Sequence, residues 1–491
     1  MISCLLHRPI VARIRSSNFT STALLRLRHD KTNRVSIGDI DVPIGKPKVP
    51  YLVPSSYLAD SPSSDVLLDL QWMMSKDILA QDMLLVGPPG AGALYRRRLA
   101  LAYAELTNRE VQVVTLSSDT TESDLKQRRE LVQSKTSGSA EVIFVDQAPV
   151  EAAIEGRLLI LDGLEKAERN VLPTLNNLLE NREMHLEDGR FLVSPRRHEE
   201  LIRDGLASDS FLVPVHEDFR VIALGVPSPP FEGRSLDPPL RSRFQIRRVH
   251  LPTTGDLYSH LQQQRDGVGE QESRLCAAVA GSMDLAASDF SSSRTMHFPS
   301  NTLSATAKLM KEFPAEDRQG LLLRAYPVGV QDERIKKIFG NKHESSRKAF
   351  NDSCQQLEVY ASPAENSYRI TDVEKQSSSS AKVTFTPLRA RSFFGSDEDV
   401  SIVVPCGANE LNAPSSTFVR TVGAETVLKS MVQDHAVGRD LLLLSPKGEG
   451  KNAVTKEFAS LLGFDTSLFS MYKEMTSRDL FLRRGTNSET G

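Results

Sequence analysis

Cysteine is scarce in this chain. There are four in 491 residues, at Cys4, Cys276, Cys354 and Cys406. No pair has metal-ligand or redox spacing, so the expectation is reduced thiols rather than a disulfide scaffold. The ten histidines form no His-x-x-x-His or similar cluster. No apolar stretch reaches membrane-spanning length, so no transmembrane segment is expected. Net charge is also small, −3, which implies no strong polyanionic partner, and nucleic acid is not expected. Acidic residues are absent before Asp30, while Arg8, Arg13, Arg15, Arg26 and Arg28 lie among Ser, Thr, Leu and Ile. That is the composition of a mitochondrial transit peptide, expected over residues 1–34. A disordered basic tail is the other reading. What the chain does have is 40% apolar content, enough to bury two or three cores.

The most informative stretch runs from Leu158 to Leu192. Leu158 to Leu161 is a short apolar run that ends in Asp162, which reads as a buried parallel strand with a carboxylate at its C-terminal tip. Doubly wound sheets hold their ligands at that tip. Apolar residues at Val171, Leu172, Leu175, Leu178 and Leu179 predict one face of a helix. EMHLE and RFLV then flank Asp188-Gly189, a hairpin signal. Strand, acid, helix and hairpin in this order predict a nucleotide-hydrolysing α/β module with an inserted β-hairpin.

Upstream stands a glycine-rich turn. Met83 to Val86 is an apolar strand, GPPGAG follows, and a helical run extends from Ala93 to Leu106. Backbone N–H groups and the helix N-terminus then point at one spot, a cradle for phosphate. The P-loop frame G-x-x-x-x-G-K-[ST] is kept at Gly87, Gly90 and Gly92, but Ala93 takes the lysine position and Leu94 the hydroxyl position. Taken alone, GPPGAG is also what an ordinary strand-to-helix turn looks like. The loop occurs twice, however. Leu441 to Leu444 predicts a second strand, followed by Ser445, Pro446, Lys447, Gly448, Glu449, Gly450, Lys451 and Asn452, and then a helix. Aligning Gly90 with Gly448 places Ala93 on Lys451, and DLKQRR (Asp124 to Arg129) falls beside DLFLRR (Asp479 to Arg484). This is an internal repeat of very long period. Lys451 is the candidate phosphate ligand, and Asn452 the candidate magnesium ligand through its carbonyl.

The organisation reads as follows. Residues 35–250 form the first α/β core, with strands at MLLV, VQVVTL, LLIL and RVIAL. Residues 251–345 read as a helical lid, 346–416 as a linker with a small β element, and 417–491 as a second P-loop core cut short.

The stretches DTTESDLKQRRE, EGRLLILDGLEKAERNVLPTLNNLLENREMHLEDGRFL, FRVIALGVPSP and LDPPLRSRF carry a resemblance. The chain resembles the mitochondrial AAA+ ATPases akin to dynein, midasin and the MoxR proteins, over nearly everything after residue 35. That resemblance implies a P-loop AAA+ three-layer module with a helical lid and a partial second module. It further implies ATP and Mg²⁺ as cofactors and self-association into a ring. Members of the family carry more ATPase modules and a C-terminal metal-binding A domain, so the chain is expected to be a truncated product or fragment. Carried over residue by residue, Asp162 matches the aspartate that holds Mg²⁺ through water. The water-polarising glutamate should follow, and Gly163 is there. Glu165 is its candidate substitute, or else faces solvent on the next helix. Val226 stands where a polar sensor residue should be. Arg241 and Arg243 match the place of the arginine finger, with Arg243 taken as the catalytic one. Arg96 and Arg97 lie on the helix after the first loop, either turned towards bound phosphate or forming a solvated basic face. Arg128 and Arg129, repeated at Arg483 and Arg484, serve the hairpin face or a subunit contact. The expected function is ATP binding and hydrolysis, with the first site degenerate and the Lys451 loop the ATP site. The alternative is a non-catalytic assembly or adaptor subunit.

Overall fold

The structure is a computed structural model that describes residues 27–475, except 31–32, 59–61, 90, 134–139, 169–170, 206–210, 229–234, 264–267, 289–297, 327–341, 360–367, 388–398, 411–417, 420, 447, 473–474. Most of the leader expected over 1–34, and the second DLFLRR motif, therefore lie outside the described residues. Strand β1 (Leu27–Asp30) pairs with β2 (Arg34–Ile37), and β3 (Ile40–Pro43) completes a small antiparallel sheet.

Helix α1 (Ser64–Ile78) is capped by the Ser63 hydroxyl and leads into β4 (Met83–Val86). Helix α2 (Ala91–Thr107) follows the glycine turn, and β5 (Val111–Thr115) follows α2. After a one-turn helix α3 (Glu122–Leu125) comes an antiparallel pair that the sequence reading did not name, β6 (Gln127–Gln133) with β7 (Ala140–Asp146). Helix α4 (Ala148–Glu155) precedes β8 (Leu158–Asp162). The predicted helix after β8 shrinks to a 3-10 turn (Leu172–Leu175) and α5 (Asn176–Glu180). The Asp188-Gly189 hairpin forms as read, with β9 (Met184–His185) against β10 (Phe191–Val193). Gly189 takes φ +91° in its tip. Helix α6 (Pro195–Arg203) leads to β11 (Leu212–Pro214), a third strand beside β10. Strand β12 (Arg220–Gly225), helix α7 (Pro238–Ser242) and β13 (Gln245–Arg248) close the unit.

The central sheet is parallel throughout, in the order β13-β4-β12-β8-β5. Its four expected strands are all present, and β13 is the fifth. In β8, Leu159 and Leu161 enter one core while Leu158 and Ile160 enter the other. Both faces are thus covered, which is why these strands read as unbroken apolar runs. One face packs on α1, α2 and the small N-terminal sheet; the other packs on α4, α5 and the β9–β10 hairpin. This is the three-layer α/β fold that the pattern predicted.

A third core holds the rest. It joins α8 (Thr254–Gln263), α9 (Glu270–Ser288), α10 (Leu303–Glu312) and α11 (Arg318–Ala325) with α12 (Lys342–Gln356). The stretch from 346, read as linker, is therefore helical up to Gln356, with Phe350 fully buried. The same core contains the meander β14 (Tyr368–Lys375), β15 (Ser380–Pro387) and β16 (Val400–Pro405), and helices α13 (Val422–Ala436) and α14 (Lys451–Leu461). The segment around the second loop is thus packed on the lid. Among the described residues no helix is long and apolar enough to cross a membrane.

Candidate functional site

The parallel sheet brings the C-terminal tips of β4, β12 and β8 together, because Gly225 pairs with Val86 and Leu224 with Asp162. Gly87, Val226 and Asp162 therefore meet at one edge, the ligand side of such sheets. Gly90 lies outside the described residues. Around it the loop is closely packed. A Cβ on Gly87 would stand 2.8 Å from both an Arg96 Nη and the Val249 carbonyl, and a Cβ on Gly92 would meet Pro88 Cγ at 2.8 Å. These glycines make room for a side chain of the protein itself. Arg96, only 2% exposed, donates from Nη1 to the Pro88 carbonyl at 2.8 Å. Its Nε is buried and finds no hydrogen-bond partner among the described residues. Burial pulls this guanidinium down to about 10, against the opposing charges of Glu165 and Asp162. The solvated basic face does not hold for Arg96, and Arg97, though exposed, turns towards the sheet edge. Leu94, at the hydroxyl position, is 43% exposed and offers no oxygen ligand.

Asp162 occupies the tip of β8 as expected, but Arg97 reaches it, Nη1 to Oδ2 at 3.6 Å. Gly163 then adopts φ +88°, where a Cβ would meet Lys166 Cδ at 3.2 Å and the Leu116 carbonyl at 3.3 Å. A glutamate here would be strained as well as crowded, so the turn itself requires glycine. Glu165 is not on a solvent-facing helix. It lies in a 3-10 turn, is buried, and accepts a hydrogen bond from Val226 N at 3.1 Å. Its carboxylate thus satisfies the backbone at the position where a polar sensor side chain was expected.

The turn expected to carry the arginine finger is α7. Arg243 is engaged within its own subunit: Nε bonds Glu180 Oε2 at 3.1 Å, Nη2 pairs with the same oxygen, and Nη1 donates to the Pro239 carbonyl. Arg241 is exposed, and among the described residues its side chain makes no hydrogen bond or ion pair. Arg129 ion-pairs with Glu187 at 2.9 Å and Arg128 with Asp124 at 2.6 Å. Arg129 thereby serves the hairpin face, the first of the two roles read for this pair.

The second loop is built differently. Leu441 to Leu444 is not a strand, and Leu442 is 80% exposed. The described residues place no parallel sheet beside it, and a lone strand cannot satisfy its backbone. Gly448 (φ +94°) and Gly450 (φ +82°) both face open space, and Gly450 caps α14. Lys451 opens that helix. Its Nζ turns into the loop, bonding the Pro446 carbonyl at 3.0 Å, Ser445 Oγ at 3.2 Å and also the Ser445 carbonyl. Glu449 and Asn452 are exposed, and Lys447 lies outside the described residues. Open glycines, a helix N-terminus and an ammonium fit a phosphate group. The first loop does not: an arginine fills it, and Asp162, the carboxylate expected to hold metal, already has Arg97 beside it.

Between the Ser56–Val66 segment, α2 and the lid lies a cavity of about 550 Å³. Arg98 crosses its wall and both of its Nη atoms meet the His260 ring. Burial, then the Arg98 charge, pull the His260 imidazole down to about 4. Arg96 turned into the loop is the first of the two readings given for it, whereas the contact of Arg98 with His260 was not read from the sequence because it joins positions 162 residues apart.

Comparison with known proteins agrees with this geometry. Residues 82–244 match the AAA domain of the dynein-related subfamily. The chain is 39% identical over 476 residues to von Willebrand factor A domain-containing protein 8 of Mus musculus, covering 94% of this chain and 23% of that protein. It thus spans about a quarter of that relative. An uncharacterized protein of Staphylococcus saprophyticus is 32% identical over 117 residues, 24% of this chain and 42% of its own length. The solved Thermotoga maritima RuvB Holliday junction branch migration motor aligns with 64% of this chain and 94% of its own, at 14% identity and a TM-score of 0.30. An acid-tipped parallel sheet and a glycine loop opening α2 lie within the span 82–244, the part of this chain that matches the AAA domain of the dynein-related subfamily.

Proposed function

We propose that this chain is an ATP-binding AAA+ subunit of the mitochondrion whose first module is structural and whose Lys451 loop is the nucleotide site. The observation that carries the reading is the contrast between the two loops. Lys451 stands at the N-terminus of α14 beside two open glycines, while the first loop has Ala93 and Leu94 at the matching positions and Arg96 inside it. In the second loop Lys451 supplies a point charge and the backbone N–H groups supply donors to phosphate. When bound, Mg²⁺ offsets phosphate charge, and Asn452 is the side chain placed to hold it. Asp162 and Glu165 have a different part here: they neutralise arginines and tie the sheet edge together. Hydrolysis is therefore not assigned to the first module. The paired Arg243 favours Arg241 as the residue offered to a neighbouring subunit in a ring. The acid-free, arginine-rich residues 1–26 support mitochondrial import.

The test is Mg-ATP binding by calorimetry on the full chain. Lys451→Ala should weaken affinity at least about tenfold, the value of one charge-assisted contact. Asn452→Thr, which adds the hydroxyl, should strengthen it. Equal affinity in the Lys451→Ala protein, with its fold intact by circular dichroism, would reject the second loop as the site.

The non-catalytic reading applies to the first module and is favoured by Gly163, whose left-handed turn leaves no place for a catalytic glutamate.

A further inference from the structure

We infer that the first module is a self-occupied nucleotide site, in which Arg96 stands in the phosphate cradle and Arg97 stands where a metal ion would meet Asp162. This rests on the reading of that module as non-hydrolysing and adds the cause: resident cations, not only missing ligands, keep nucleotide out.

Arg96 has left the solvated face of α2. Its guanidinium lies inside the turn, within 2.8 Å of the Pro88 carbonyl and of the Cβ position of Gly87. A nucleotide phosphate would need the space that this group fills. Arg97, next on the helix, extends along the sheet edge to Asp162 at 3.6 Å. Two arginines therefore face two carboxylates, Asp162 and Glu165, and the site is neutral as it stands. A metal ion would have to displace Arg97 and share Asp162 with a like charge. Among the described residues the buried Nε of Arg96 finds no hydrogen-bond partner, so the groups around it satisfy this guanidinium only in part. A planar fork has been lodged in a loop shaped for an anion.

The consequence is specific. Restoring the missing side chains should not restore binding while the arginines remain. The test uses the full chain with Lys451→Ala throughout, so that only the first site is read. Ala93→Lys with Leu94→Thr should show no binding of Mg-ATP by calorimetry. Adding Arg96→Ala and Arg97→Ala should create binding, at least about tenfold above the preceding variant. Keeping Arg97 while replacing Arg96 should give binding that is indifferent to Mg²⁺, because Asp162 is still paired. Arg96→Gln is made in parallel, since it leaves a donor for the Pro88 carbonyl if the alanine variant does not fold. The inference fails if Ala93→Lys with Leu94→Thr binds as tightly as the variants without the arginines. It fails equally if the arginine-free variants, cooperative in thermal melting, bind no better. The comparison of wild type with Lys451→Ala alone decides the second-loop proposal independently.

Discussion

Arginine and lysine differ most where a site is small. A lysine at the start of a P-loop helix reaches phosphate as a point charge, while an arginine one turn on must fold back and fill space. In this chain that arginine is Arg96, and the glycines at 87 and 92 that look like phosphate signals are what admit it. The sequence makes the loop legible and hides its occupant, since no spacing rule distinguishes a glycine facing ligand from one facing a guanidinium. Glu165 was equally hidden, because a turn of unforeseen 3-10 geometry swung it inward to Val226 N. His260 allows a test at this scale. Its folded value of about 4 lies below the ordinary 6.5, so it stays neutral when folded and takes up a proton on unfolding. The unfolded chain binds more protons between these values, so stability falls as pH drops from 6.5 towards 4. His260→Gln should remove a part of that loss, on the order of 1–2 kcal/mol for a half-buried ring. Urea melts of the two proteins should agree above pH 6.5 and separate as pH falls towards 4, with the Gln protein losing less stability.

Among elements, the parallel strands were readable because both their faces are buried, and the Asp188-Gly189 hairpin because its turn demands a left-handed glycine. Leu441 to Leu444 has the same apolar composition as β8 and yet is no strand. Composition describes what a strand can bury; neighbouring strands decide whether it forms. The end of α4 shows how tightly such local choices are held. Gly156 takes φ +77° as its cap, and a Cβ there would strike the His216 ring. Gly156→Ala should therefore cost about 1–2 kcal/mol or more from left-handed strain and displacement of His216. Thermal unfolding of the full chain checks this; an unchanged midpoint would mean that the helix end readily rearranges.

At the scale of the whole molecule, three cores divide the chain: two sandwich the sheet, and one extends from Leu257 to Leu462. The last was the least legible, since it joins helices, a meander and the second loop's helix across long sequence separations. Charge reinforces it. Lys429 on α13 pairs with Glu316 beside α11 at 2.7 Å, with side chains only 4% and 10% exposed. Arg324 on α11 reaches Asp434 at 2.9 Å, and Arg439 bonds the Thr302 carbonyl at 2.8 Å. Breaking one partner leaves a buried charge, so Lys429→Met should cost about 3–5 kcal/mol. Lys429→Met with Glu316→Gln should recover most of it. Hydrogen exchange across residues 421–464 reads the effect, and equal protection in all three proteins would show that the pair is dispensable.

Because α8 through α14 share one interior, they can turn only as a single lever. The connection to the sheet is short: Val249 belongs to the sheet's core and Leu257 to the lever's. A rotation in residues 250–253 would therefore carry the Lys451 loop along with the helices it is packed on. The first loop stays with the sheet, tied to α2 by the Arg96 contact with the Pro88 carbonyl.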